Sequence, residues 1–308
     1  MSGVLVGFSI IVAVILVGYV AGRAAVGGPT APYVLNRVAF FVTNPALLFT
    51  VLSKADLHVI FSSYVDIAFL DVVVVGALYV AASALFFRQR VAETTLGAMA
   101  STYVNANNIG LPVAVYVLGS ASYVVPVLLL QVIVIAPIAL TILDISSHGS
   151  VSVGRLLTQP VRNPMIIASV SGVVVSAIGV TPPAAVLRPI DLLAGAAVPL
   201  VLLAFGMSLN GAAPFRHGSG RRELAVASVL KCAVMPLVAF VLARFVFHLP
   251  ARALYAAVVL AALPTAQNIY NFASRYERGE AMARDAVLVT TALSALSVGV
   301  IAVLLVRP

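Results

Sequence analysis

The sequence predicts an all-α, polytopic membrane protein, and three observations predict it. Hydrophobic residues fill 62% of the 308 positions and charged residues only 9%, against about 25% charge in a soluble domain. Apolar runs of about 20 residues, the length a bilayer demands of a helix, recur from end to end. Those runs do not alternate polar with apolar positions, as the strands of a membrane barrel must.

Ten transmembrane helices are expected, over residues 4–22, 32–52, 62–87, 94–118, 121–143, 164–180, 187–209, 224–247, 253–274 and 284–306. The first run, Val4 to Ala21, has no basic residue ahead of it, unlike a secretory signal, and is expected to be retained as a span. The single cysteine, Cys232, lies in an apolar segment, which leaves no disulfide framework or cysteine metal site within one chain. Net charge is +8, but the basic residues sit in the short links between spans, so the positive-inside rule accounts for them and nucleic acid is not an expected partner. One set of links holds Arg23, Arg88, Arg90, Arg155, Arg162, Arg216, Arg221, Arg222, Arg275, Arg278 and Arg284; the other holds Lys54, Arg188, Arg252 and Arg307. That asymmetry predicts an inner-membrane protein with both termini outside the cytoplasm. Arg37, Lys231 and Arg244 fall inside spans and do not enter the comparison.

Ten spans divide as five and five, so the second half must enter with inverted topology. The expected units are 1–143, a first five-helix repeat; 144–163, a cytoplasmic linker; and 164–308, the inverted second repeat. Positions correspond between the halves. Span 2 carries Asn44-Pro45 and span 7 Val198-Pro199, while spans 4 and 9 are each interrupted by a polar, Pro-containing stretch.

In span 4 the stretch contains Asn105, Asn107, Asn108, Gly110 and Pro112. Pro112 has no N–H and its ring clashes with the carbonyl four residues back, that of Asn108; Gly110 permits an unwound backbone. In span 9 it contains Pro264, Thr265, Gln267, Asn268, Tyr270 and Asn271. Backbone groups freed in this way cannot face lipid and must line protein or a wet cavity. Where two broken helices meet, half-helix N-termini offer N–H groups and positive dipole ends, which suits a carboxylate. The same asparagines also serve as interhelical hydrogen-bonding groups that hold bundles together, but two clusters at mirrored positions point to a binding site. Tyr103 and Tyr270 flank the clusters, as walls of a site or as core.

Asn105-x-x-x-x-Gly110-Leu111-Pro112, Leu263-Pro264-Thr265-Ala266-x-Asn268 and Asn44-Pro45-Ala46-Leu47-Leu48-Phe49, with Gly206-Met207-Ser208-Leu209, together resemble the auxin efflux carrier family, which includes plant PIN carriers and bacterial relatives. The resemblance covers the whole chain. It implies a scaffold of spans 1, 2, 6 and 7, a mobile crossover domain of spans 3–5 and 8–10, and an elevator-type alternating-access mechanism for organic anions such as auxin-like monocarboxylates or dicarboxylates. It further implies that Asn105 is the crossover asparagine and that Pro112 and Pro264 are the crossover prolines. The long cytoplasmic loop of the plant carriers is absent here. Gln267-Asn268 also looks like the ninth-span pair of sodium/bile-acid symporters, which share the broad fold. Leu263-Pro264 stands where those symporters place a sodium-binding glutamate, which weighs against sodium coupling without removing an all-amide site.

Asp66 and Asp71 in span 3 and Lys231 in span 8 are ionisable residues at membrane depth, each a functional candidate by default. Asp71 is the expected proton or coupling-ion site, with a structural Asp71–Lys231 pair as the competing reading. Asp191 is expected to cap or snorkel. His58, His148, His217 and His248 fall in links or at span ends, where solvation is their ordinary role. Gly18-x-x-x-Gly22 has helix-packing spacing, and the sequence leaves a homodimer open. No Walker-type loop, metal-ligand spacing or paired acid/base constellation is present, so neither an enzyme nor a cofactor is expected. The function expected is secondary transport of a small organic anion. The substrate site is expected at Asn44, Asn105, Asn108, Gly110, Pro112, Pro264, Thr265, Gln267, Asn268, Tyr270 and Asn271. A sodium-coupled symporter and a channel are the alternatives.

Overall fold

The computed structural model describes residues 2–54, 63–148, 163–180, 182–210 and 220–305. The loop arginines 155, 162 and 216, the tail Arg307, most of the linker 144–163, and His58 and His217 lie outside them, as does the His148 side chain. The described residues form twelve helical segments: α1 Ser2–Arg23, α2 Ala31–Leu52, α3 Ser63–Phe87, α4 Val91–Thr102, α5 Leu111–Tyr116, α6 Ala121–Ser146, α7 Pro164–Ile178, α8 Ala184–Ser208, α9 Arg221–Val246, α10 Ala251–Ala261, α11 Asn268–Tyr276 and α12 Glu280–Leu305. No strand occurs among them; one isolated antiparallel bridge joins Val104 to Thr265. Six helices, α2, α3, α6, α8, α9 and α12, are long and apolar enough to cross a membrane. Large apolar side chains such as Leu85, Phe86, Leu192 and Leu296 stand exposed along them, the surface of an integral membrane protein rather than a soluble one.

Prolines shape these helices in a regular way. Widened π-type turns at Ala39–Thr43, Ala106–Gly110, Gln131–Ile135 and Leu230–Val234 each end two residues before a proline: Pro45, Pro112, Pro137 and Pro236. A proline ring collides with the carbonyl four residues back, and widening the preceding turn moves that carbonyl aside. Cys232 shows what becomes of such a group. Its carbonyl, four residues before Pro236, accepts a hydrogen bond from Ser297 Oγ on α12 at 3.0 Å.

Packing falls into two groups. Helices α1, α2, α7 and α8 pack chiefly on one another, and α3, α4 and α6 pack with α9, α10 and α12. The contact of α1 with α8 is extensive and depends on glycine. A Cβ on Gly18 would strike the Leu203 carbonyl, and one on Gly206 the Ile15 carbonyl. Gly22 abuts Met207 and Asn210 of the same helix end. The Gly18–Gly22 spacing therefore serves a contact inside the chain. Asp191 accepts from Thr50 Oγ1 at 3.0 Å and lies 3.8 Å from Lys54 Nζ, tying α8 to the end of α2.

The two halves carry matching irregularities. Both α3 and α9 end in a π-type turn, Ser83–Phe87 and Leu242–Val246. Each is followed by a residue with left-handed backbone, Arg88 and His248, both at φ 50°. Next comes a short helix, α4 or α10, that stops at a break.

Candidate binding site

The two breaks meet. Across the Val104–Thr265 bridge, the Asn105 N–H donates to the Pro264 carbonyl at 2.7 Å, and the Ala266 N–H donates to the Tyr103 carbonyl at 2.9 Å. Three of the backbone groups of the bridge residues are matched by side chains from the next helix of each half. Gln131 on α6 clamps Val104 at both ends: its Oε1 accepts from the Val104 N–H at 2.7 Å and its Nε2 donates to the Val104 carbonyl at 3.0 Å. Thr290 on α12 accepts from the Thr265 N–H at 3.0 Å. Thr265 Oγ1 donates to the Ala100 carbonyl at 2.6 Å. Non-helical backbone at membrane depth persists only with such partners.

Beside the bridge lies a cavity of about 260 Å³, lined by Tyr103, Asn105, Asn107, Asn108, Gln131, Asn163, Gln267, Asn268 and Asn271 with apolar neighbours. A second cavity of about 420 Å³ shares Phe40, Asn107, Asn108, Gln267, Asn268 and Asn271 with it, and reaches Arg37, Tyr33 and Ser208. Pro29 of the α1–α2 link, the first half of α2 and the end of α8 surround this outer part. Among the described residues no carboxylate lines either cavity; eight amides line the inner one beside apolar residues, and Arg37 is the one charged residue lining the outer one.

Of the residues expected at the site, Asn105, Asn108, Gln267, Asn268 and Asn271 line the inner cavity. Asn105 Oδ1 accepts from the Asn108 backbone N–H at 3.1 Å. A backbone N–H can only donate, so this bond fixes the Asn105 oxygen as the acceptor and leaves its NH2 group as a donor. Asn44 is buried behind the wall and donates to Asn107 Oδ1 at 2.8 Å; Asn107 Nδ2 donates to Asn108 Oδ1 at 2.8 Å. Gly110, Pro112, Pro264 and Thr265 shape the breaks without lining the cavities, and Tyr270 lines neither. Gly110 is required by space: a Cβ there would lie 2.9 Å from Val124 Cγ2 and 3.0 Å from Leu263 Cδ1.

Sequence reasoning left Asn107, Gln131, Asn163 and Arg37 out of the site. Gln131 had a signal, since it is the one polar residue in Val-Leu-Leu-Leu-Gln-Val-Ile-Val-Ile. Asn163 also had one, as an N-cap candidate ahead of Pro164; its Oδ1 accepts from the Met165 N–H at 2.9 Å.

Asp71 lies apart. It lines a separate cavity of about 30 Å³ with Thr102, Val104, Gln131, Met235 and Ala261, room for about one or two waters. Its Oδ1 is buried with no hydrogen-bond partner among the described residues. Lys231 makes no direct ion pair with it. The ammonium donates instead to the Ala261 carbonyl at 2.8 Å and to Met235 Sδ at 3.0 Å. It thus caps the C-terminus of α10, where the helix dipole favours a cation. Val104 and Gln131 form a wall common to the Asp71 chamber and the amide cavity.

A family model described as membrane transport protein matches residues 5–155 and 150–302. A Rhizobium meliloti protein named "Putative malonate transporter" is 26% identical over 292 residues, 92% of this chain and 90% of the relative. An Escherichia coli K12 protein named "Uncharacterized transporter YfdV" is 27% identical over 275 residues, 86% of either chain. A Methanothermobacter thermautotrophicus protein named "Uncharacterized transporter" is 29% identical over 206 residues, 65% of this chain and 66% of its own. Matched in both halves, the chain belongs to this family of membrane transport proteins, the auxin efflux carrier family that its motifs resemble.

Proposed function

We propose that this membrane transporter is a secondary carrier of a small organic anion, taken at the amide cavity between the two breaks. The observation that carries the reading is the lining of that cavity: amides from both halves, no carboxylate among the described residues, and an arginine in the adjoining space. An anion needs donors. The Asn105 NH2, the side chains of Gln267, Asn268 and Asn271, and the Asn268 backbone N–H at the start of α11 supply them. A carboxylate is the anion best matched to amide donors at a half-helix N-terminus. The relative named for malonate is in keeping with that chemistry.

On this reading the chain crosses the membrane ten times, with α4–α5 and α10–α11 as broken spans that cross at the bridge. The matching π-type turns, left-handed residues and break partners of the two halves support an inverted repeat of five and five. The group of α1, α2, α7 and α8 acts as scaffold, and the remaining helices move against it as an elevator. The cavity opens on the Arg23 face, which the positive-inside rule assigns to the cytoplasm. Asp71 is the coupling group, a buried carboxylate one wall away from the substrate.

The test is uptake of a panel of labelled mono- and dicarboxylates into proteoliposomes, with proton and sodium gradients imposed separately. Saturable uptake with counterflow is expected for at least one carboxylate. A preference for cations or neutral solutes over every carboxylate would sink the reading. Large unitary currents would identify a channel instead. Asp71→Asn is expected to abolish gradient-driven accumulation while leaving counterflow; accumulation at the wild-type level would remove Asp71 from coupling.

A further inference from the structure

We infer that Arg37 is the charge-recognition residue of the transport pathway, engaging the substrate carboxylate in the outer cavity before it reaches the amides; this rests on the anion-carrier reading above.

Four observations carry it. Among the described residues Arg37 is the one charged residue lining either cavity, and the outer cavity is continuous with the inner one through six shared residues. Its guanidinium is held in place by neutral groups: Nη1 donates to Tyr33 Oη at 2.9 Å, and Cζ lies 5.7 Å from the Tyr33 ring centre and 5.3 Å from that of Phe41. No acidic side chain pairs with it among the described residues. The remaining donors of its fork therefore stay open for an anion, and a planar fork matches a carboxylate in two-point geometry. Finally, Arg37 and Asn44 stand on either side of the widened turn Ala39–Thr43 of α2, so the same helix that carries the cation at the outer cavity also supports, through the buried Asn44, the Asn107–Asn108 pair further in.

Two other roles would also place an arginine near a span end. It can snorkel toward lipid phosphates, or act only as a topology signal. Both predict an effect on insertion or stability and none on substrate affinity. A cation fixed between two aromatic rings in the vestibule predicts the reverse. Being exposed, it also predicts salt sensitivity, because charges at a wet mouth attract ligand over about a Debye length.

The decisive measurement is initial-rate uptake of the best carboxylate of the panel by wild type, Arg37→Gln and Arg37→Lys. The protein is reconstituted in neutral-lipid vesicles, and substrate is supplied at the Arg23 face. Arg37→Gln is expected to raise KM by about tenfold or more, the loss of one charge-assisted contact, with Vmax within about threefold of wild type and an unchanged melting temperature. Arg37→Lys is expected to recover most of the affinity. The rise of wild-type KM between about 20 and 300 mM salt should flatten in Arg37→Gln. A KM within twofold of wild type in Arg37→Gln overturns the assignment, as does a loss confined to Vmax or to the yield of folded protein. If wild type transports carboxylates and Arg37→Gln behaves like it, only the Arg37 role fails. If wild type transports none, the anion-carrier reading fails and this inference with it.

Discussion

At the first break, between α4 and α5, amide groups are largely engaged by the protein. Asn105 caps the turn that follows it, Asn107 joins Asn44 to Asn108, and Gln131 clamps Val104. At the second break, between α10 and α11, the protein relies on hydroxyls and backbone: Thr265 and Thr290 make the anchoring bonds. The amides Gln267, Asn268 and Asn271 are exposed to the cavity and make no side-chain hydrogen bond among the described residues. Two breaks that look equivalent as clusters of amide and proline thus divide the work. The first half supplies a braced wall, and the second supplies unoccupied groups for a ligand. A braced wall costs little to keep ordered when a ligand arrives, whereas free amides cost little to desolvate only if the ligand replaces their water.

This division has consequences that differ in size. The largest is expected at Gln131. Gln131→Leu keeps the volume but leaves the buried Val104 N–H unmatched and removes one of two hydrogen bonds to the Val104 carbonyl, which retains the Ala106 N–H at 2.8 Å. An unmatched buried group costs about 1–3 kcal/mol and a lost bond about 0.5–1.5 kcal/mol, so a loss of about 2–4 kcal/mol and a clear fall in melting temperature in detergent are expected. Because Val104 and Gln131 also separate the Asp71 chamber from the amide cavity, transport should fall with stability. If Gln131→Leu melts like wild type, the first break is not braced in this way and the contrast between the halves collapses.

Thr290→Val is the mirror experiment in the second half, and its effect is expected to be smaller. It removes one acceptor, that of the Thr265 N–H, while Thr265 retains its own bond to Ala100. A loss of about 1–3 kcal/mol follows from one unmatched buried donor. A loss equal to that of Gln131→Leu would mean that the two breaks are braced alike, and the asymmetry would then rest on the free amides alone.

The sequence made the location of both breaks legible, because asparagine, glycine and proline clustered in an apolar helix have no inexpensive alternative in lipid. The six long apolar helices were legible for the same reason, from hydropathy. What each amide does was not legible. Whether an asparagine braces the backbone or faces a ligand depends on what the fold brings next to it, and Gln131 meets Val104 from 27 residues away. Arg37 lies inside a span and so carries no weight in the topology comparison, although an intramembrane cation is itself a signal. Lys231 illustrates the limit from the other side. Its depth in the membrane points to Asp71 as a partner, but its acceptor is the Ala261 carbonyl at 2.8 Å, exposed by a helix end that only the break creates.

The smallest expected effect on stability is the most informative. Asn268 begins α11, is exposed in both cavities and makes no side-chain bond to the described residues. Asn268→Ala should therefore change stability by no more than about 0.5 kcal/mol, as at other sites without a partner. It also removes a donor that a bound carboxylate would use, worth about 1.5–3 kcal/mol when the acceptor is charged, so KM for the carried anion should rise by about tenfold or more. The two readouts separate the roles that an amide can play in a broken helix. A melting temperature that drops with KM unchanged would assign Asn268 to bracing, and the second break would then resemble the first. Unchanged melting with a raised KM would leave one half holding the wall and the other holding the substrate.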